Sequence, residues 1–192
     1  SDKKIRFTAQ QIVKRLPFNI RPVLAVPKGY NPVTLGLSIQ GYSYLSAQPS
    51  EPSTCTEAAV DKFVQCPALP NKYSERVKYL ISELKKLIPA GYSGACWGYD
   101  FPWEARYASI PAHQPNIVAT GIITNALFIT YKVSGNRECA ELIKSSALFV
   151  LNDLNRTYSG DEFVFSYSPF DKQQVLNASM KAARILAQAY SV

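Results

Sequence analysis

Between Trp97 and Tyr107 the sequence gathers Trp97, Tyr99, Asp100, Trp103, Glu104, Arg106 and Tyr107 within eleven residues. Aromatic faces stack on the apolar faces of sugar rings, and carboxylates and arginine bind hydroxyls or a uronate. An Asp/Glu pair such as Asp100 and Glu104 can also serve as general acid and base in glycoside chemistry. The set reads as a carbohydrate site in which Trp97, Tyr99, Trp103, Arg106 and Tyr107 touch the ligand. The plainer alternative is structural: Trp97 and Trp103 pack a rim while Asp100 and Arg106 pair to hold the loop.

A second set, Phe165, Tyr167 and Asp171, follows Asp161 and Glu162 in a similar loop, and Asn177 lies just beyond it. Phe165, Tyr167 and Asn177 count as further ligand contacts. A carboxylate from each loop facing the other across a cleft, such as Asp171 opposite Asp100 or Glu104, would suit glycoside hydrolysis. Asp161-Glu162 after Ser159-Gly160 reads more simply as a solvated turn. His113, flanked by Pro111 and Pro115, is a candidate general base, or with Tyr99 a Tyr/His pair of the polysaccharide-lyase kind; the alternative is an exposed imidazole. No GxSxG, Walker loop, GxGxxG, HExxH or Asp-Asp-x-x-Asp occurs, so serine hydrolase, nucleotide, zinc-protease and diphosphate-ionising readings lack a motif. Cys55, Cys66, Cys96 and Cys139 are widely spaced with no CxxC. No metal and no cofactor is expected.

The elements that must position these residues are helical. Over 74–88, Val77, Leu80, Ile81, Leu84, Leu87 and Ile88 fall at helical spacing opposite charged residues, and 136–154 repeats the pattern with Ala140, Ile143, Ala147, Val150, Leu151 and Leu154. Both are outer helices with one wet face. Over 116–133 apolar residues occupy nearly every face, and 32–45 and 175–192 look comparable, which predicts inner helices buried all round. Residues 91–115 and 158–174 are long, aromatic-rich connections.

An internal repeat links these segments. Tyr131-Lys132-Val133 set over Tyr190-Ser191-Val192 gives an offset of 59 residues that also superposes Ala119-Thr120 on Ala178-Ser179. The preceding triplets Trp97-Gly98-Tyr99 and Phe165-Ser166-Tyr167 match, and a fainter copy places Asn31, Val33 and Gly36 before Asn116, Val118 and Gly121 by 85 residues. Solenoid repeats are about 34–47 residues with tight turns. Longer units, with long loops gathered at one end, fit an α/α toroid whose loops line a cleft. The expected fold is all-α, with helical hairpins forming about half of such a toroid: a single domain over 1–192, a basic, proline-rich segment to about residue 30, and hairpins over 31–192.

Several runs are specific: Arg21-Pro22, Pro27-Lys28-Gly29-Tyr30-Asn31-Pro32, the stretch from Gly91 to Trp103, Asn152-Asp153-Leu154-Asn155-Arg156-Thr157 and Phe165-Ser166-Tyr167-Ser168-Pro169. Through them the chain resembles, over nearly all of 20–192, α/α-toroid proteins encoded in bacterial and archaeal exopolysaccharide clusters. These are often labelled, misleadingly, delta-aminolevulinic acid dehydratase or prenyltransferase. The resemblance implies a six-hairpin-glycosidase-like or terpenoid-cyclase-like toroid. The dehydratase label fails on chemistry, because that enzyme needs a β/α barrel and a Schiff-base lysine. Two departures stand out. Family members are about twice as long, so the chain is expected to be an N-terminal half completed by a second copy or a complementary half. Leu176 stands where the family motif carries a histidine.

Composition frames the rest. At 192 residues, 47% apolar and 18% charged, the chain is a globular protein. The net charge of +7 invites nucleic acid, but Lys3, Lys4, Arg6, Lys14, Arg15 and Arg21 load the N-terminus and the remaining cations scatter singly, so an acidic glycan is the better partner. Apolar runs are interrupted before the 18 or so residues of a membrane span, and no secretory signal is visible, although the chain starts at Ser1 without Met. Reduced thiols and a cytoplasmic setting are expected, with a Cys55–Cys66 bridge open in an oxidising compartment.

Overall fold

The structure, a computed structural model, describes residues 8–9, 11–13, 15–20, 22–25, 29–47, 72–104 and 109–192. It is mainly helical: α1 (Pro32–Ala47), α2 (Lys72–Lys86), α3 (Ile117–Ser134), α4 (Arg137–Asp153) and α5 (Leu176–Tyr190). Asparagines start three of them. Asn31 accepts from the N–H groups of Val33 and Thr34 ahead of α1, where Pro32 sits with its missing donor in the first turn. Asn116 accepts from Ala119 N–H and Asn136 from Glu138 N–H. Between α3 and α4, Gly135 adopts φ 66° and returns its N–H to the Tyr131 carbonyl, a left-handed cap that reverses the chain within two residues.

Three helices run in the same direction. Gly36 of α1 meets Ile123 of α3, and Ser43 Oγ lies 2.8 Å from Thr130 Oγ1; the sequence separation is 87 in both pairs, which only parallel helices maintain. On the other side of α3, Lys181 covers Gly121 and Gln188 bonds Asn125, so α5 is parallel too. Both α1 and α5 pack on α3 and not on each other. The second layer is antiparallel: Tyr42 late in α1 stacks on Tyr73 early in α2, and α4 folds back on α3.

The structure corrects two expectations. Only α3 is enclosed on most sides. Along α1, Leu37, Tyr44 and Leu45 are exposed, and along α5 so are Leu176, Met180 and Tyr190, because no described element covers the outer edge of either helix. The connections also contain strands. β1 (Trp103–Glu104) pairs with β2 (Ser109–Ile110), and β3 (Arg156–Ser159) with β4 (Glu162–Phe165), antiparallel, through a tight turn with Gly160 at φ 60°. The solvated turn at Asp161 and Glu162 is thus a hairpin tip. By length and composition alone α3 is long and apolar enough to cross a membrane, and half of its residues are buried against neighbouring protein.

Candidate functional site

Both aromatic loops reach the N-terminal end of the three parallel helices. The first is locked to the helices by close backbone approach. A side chain on Gly94 would overlap the Ser145 carbonyl, and one on Gly98 the Gln114 carbonyl. Trp97 is wholly buried, its Nε1–H donating to the Leu84 carbonyl at 3.0 Å and its backbone bonded to Thr120 and Asn116. It presents no face to a ligand. The sequence assignment of Trp97 as a sugar-stacking residue is therefore corrected to the structural alternative, since a buried indole finds its energy in packing and its one donor in a fixed acceptor. Phe165 is likewise buried, with Arg156 above its ring at 5.5 Å, and is removed from the ligand contacts for the same reason.

The residues beside them do meet. Tyr99 stacks on Phe101 with ring centroids 5.2 Å apart, and Phe101 is about half exposed. Tyr167, from the second loop, lies near enough to the Tyr99 side chain to interact with it electrostatically, and its carbonyl accepts from Ile117 N–H at the head of α3. Burial and the neighbouring Tyr99 push the Tyr167 phenol well above its ordinary value, so it is held as a neutral hydrogen-bonding group. His113 sits exposed with φ 65°, its N–H donating to the Tyr99 carbonyl. The backbone of this histidine shapes the Tyr99 turn.

The two candidate catalytic carboxylates whose side chains are described, Asp100 and Asp171, are already engaged. Asp100 accepts from the Asn31 amide, which ties the first loop to the cap of α1. Asp171 accepts from Ser168 Oγ through Oδ2 and from the N–H groups of Tyr167 and Gln173 through Oδ1. Such sets hold loops in shape, and Asp171 serves the turn that presents Tyr167. Asn177 is exposed in the first turn of α5, where the sequence pattern had suggested a buried helix. The Trp103 and Glu104 backbones form β1, while their side chains, together with Arg106, Tyr107, Cys55 and Cys66, lie outside the described residues. Cys96 and Cys139 are free, buried thiols, each pushed up to about 12 by desolvation. Among the described residues no cluster of His, Cys, Asp or Glu could hold a metal.

Phe101 and Asn31 were not singled out from sequence. A signal existed for Asn31, because it repeats Asn116 and a capping asparagine keeps its amide free for a second partner. Comparison of the chain with protein-family models, curated proteins and solved structures finds no match.

Proposed function

We propose that the protein is a glycan-binding module of exopolysaccharide synthesis or modification, built as part of an α/α toroid, with the ligand lying across the Tyr99–Phe101–Tyr167 surface. The observation that carries this reading is the convergence of two loops on one aromatic, hydroxyl-bearing patch at a single end of three parallel helices. The resemblance to exopolysaccharide-cluster toroids supports the same partner. Binding is favoured over hydrolase- or lyase-like chemistry, because Asp171 spends both carboxylate oxygens, and Asp100 one, on loop positioning. The test is oligosaccharide binding by Phe101→Ala and Tyr99→Ala proteins whose melting is unaltered. A loss of about tenfold is expected for removal of a stacking face, and an unaltered isotherm overturns the reading.

A second reading is favoured by the exposed apolar edges: a scaffold completed by a second copy. Because the central helices are parallel, a two-fold axis along them sets the exposed edge of α5 of one copy, with Met180, against the exposed edge of α1 of the other without reversing any helix. Sedimentation at micromolar concentration should show a dimer that Met180→Lys dissociates. A strictly monomeric profile of the unaltered chain sinks this second reading.

A further inference from the structure

The seam between α3 and α5 carries two cations that no described acid balances. Lys181 lays its stem along Gly121, where a Cβ would meet its Cβ and Cδ, and Arg184 donates from Nη2 to the Gly121 carbonyl at 2.6 Å. Both side chains are partly buried. Neither makes an ion pair among the described residues, where the pairs are Lys78–Glu75, Lys85–Glu138 and Lys86–Glu83. One turn further on, Gln188 gives its amide to Asn125, but its Oε1 is buried without a donor, just as Arg184 Nε is buried without an acceptor. Desolvation pulls both cations below their ordinary pKa, and the charge of Arg184 lowers Lys181 further. Partly burying two like charges side by side is unfavourable unless something of opposite sign joins them.

The repeat shows that packing alone does not demand these residues. At the 59-residue offset, α3 has Ile122 and Asn125 where α5 has Lys181 and Arg184; at the 85-residue offset, α1 has Leu37 and Gln40. The cations are particular to α5. They also lie close to the aromatic patch: Gly121 is four residues along α3 from Ile117, whose N–H holds the Tyr167 carbonyl, or about 6 Å along the axis.

We infer that Lys181 and Arg184 form an oxyanion-binding site that takes the carboxylate of an acidic sugar, in a glycan continuing onto the Tyr99–Phe101–Tyr167 surface. This rests on the glycan reading above. A guanidinium and an ammonium on adjacent turns offer a carboxylate charge-assisted hydrogen bonds from two directions, a geometry that a neutral sugar does not use.

Titration of glucuronate, glucose and inorganic phosphate into nitrogen-labelled protein, following the Arg184 Nε–H signal, separates the possible anions. Glucuronate is expected to move that signal and glucose to leave it still. An oligogalacturonate should bind roughly tenfold more tightly than its methyl ester, a margin that Lys181→Gln collapses and Lys181→Arg keeps, with folding of each variant checked by its melting temperature. A response to phosphate but not to glucuronate overturns the assignment to a sugar carboxylate. Equal affinity for acid and ester, with no anion moving the signal, overturns the oxyanion site while the glycan reading stands. If neither oligosaccharide binds but glucuronate still moves the signal, the oxyanion site is supported and the glycan reading falls; silence throughout overturns both.

Discussion

The first loop-and-helix unit, from Trp97 through α3, and the second, from Phe165 through α5, share one anchor and little else. In each, the N–H of a buried aromatic residue donates to a hydroxyl one turn inside the helix: Trp97 to Thr120 Oγ1 at 3.0 Å, Phe165 to Ser179 Oγ at 3.1 Å. Thr120 and Ser179 are related by the 59-residue offset found in the sequence. Around that anchor the units diverge. Asn116 caps α3, whereas Val175 precedes α5 with no side-chain cap. Ile117 is 0% exposed and its counterpart Leu176 is 69% exposed. The repeat preserves how a loop is pinned to its helix; neighbours on either side decide whether the helix is enclosed. An apolar sequence identifies the slot, not how fully the slot is surrounded.

Breaking the anchor residue should have the largest effect. Trp97→Ala is expected to lower stability by about 3–5 kcal/mol, read as a fall in denaturant midpoint, and Phe165→Ala by less, because Phe165 is the last residue of β4 in the mostly exposed β3–β4 ribbon. Equal losses would mean that the units are equally enclosed. Exchanging the middle residue of the triplet comes next. Gly98→Ser should cost about 1–3 kcal/mol or more as its Cβ meets the Gln114 carbonyl, while Ser166→Gly costs less. Thr120→Val leaves the buried Trp97 N–H unpaired and should cost about 1–3 kcal/mol. Ser179→Ala should cost less, because water can reach a half-buried site.

Cys96 gives the first unit a titrating group where the aligned position of the second has Val164. Its native pKa of about 12 lies above the ordinary 9, so its contribution is complete below pH 9. Between 9 and 12 only the unfolded chain ionises, and stability drains by about 1.4 kcal/mol per pH unit for this thiol. Cys96→Val should flatten the alkaline limb of the melting profile, leaving the similar slope from Cys139. The smallest effect is expected from giving α5 the cap that α3 has: Val175→Asn should raise stability by about 0.5–1 kcal/mol, visible as a higher melting temperature.

Helical spacing located α1 to α5 but not the helical residues described between 8 and 15, and the 59-residue offset correctly paired Thr120 with Ser179. What it missed depended on contacts remote in sequence. Nothing near Trp97 announces that its acceptor is the Leu84 carbonyl of another helix, so the indole looked available for stacking. Asp100 was matched to Arg106 by proximity along the chain, whereas its described partner is Asn31, far upstream. The β3–β4 ribbon eluded a helical reading because four-residue strands carry little periodicity, and Arg156 resting over Phe163 and Phe165 is a cross-strand contact. Of the proposed ligand contacts, Tyr99 and Tyr167 are brought together; Trp97 and Phe165 are not available.

The parallel course of α1, α3 and α5 has an electrostatic consequence. Each helix carries a dipole equivalent to about half a positive charge at its N-terminus, and neighbours lying side by side in the same direction repel. The antiparallel helices α2 and α4 cancel two of these dipoles, which leaves among α1 to α5 a net moment of about one helix. Its positive end emerges at the Tyr99 and Tyr167 loops. That face therefore carries a standing field independent of any titrating side chain, one that draws anions at low salt and fades as ionic strength rises.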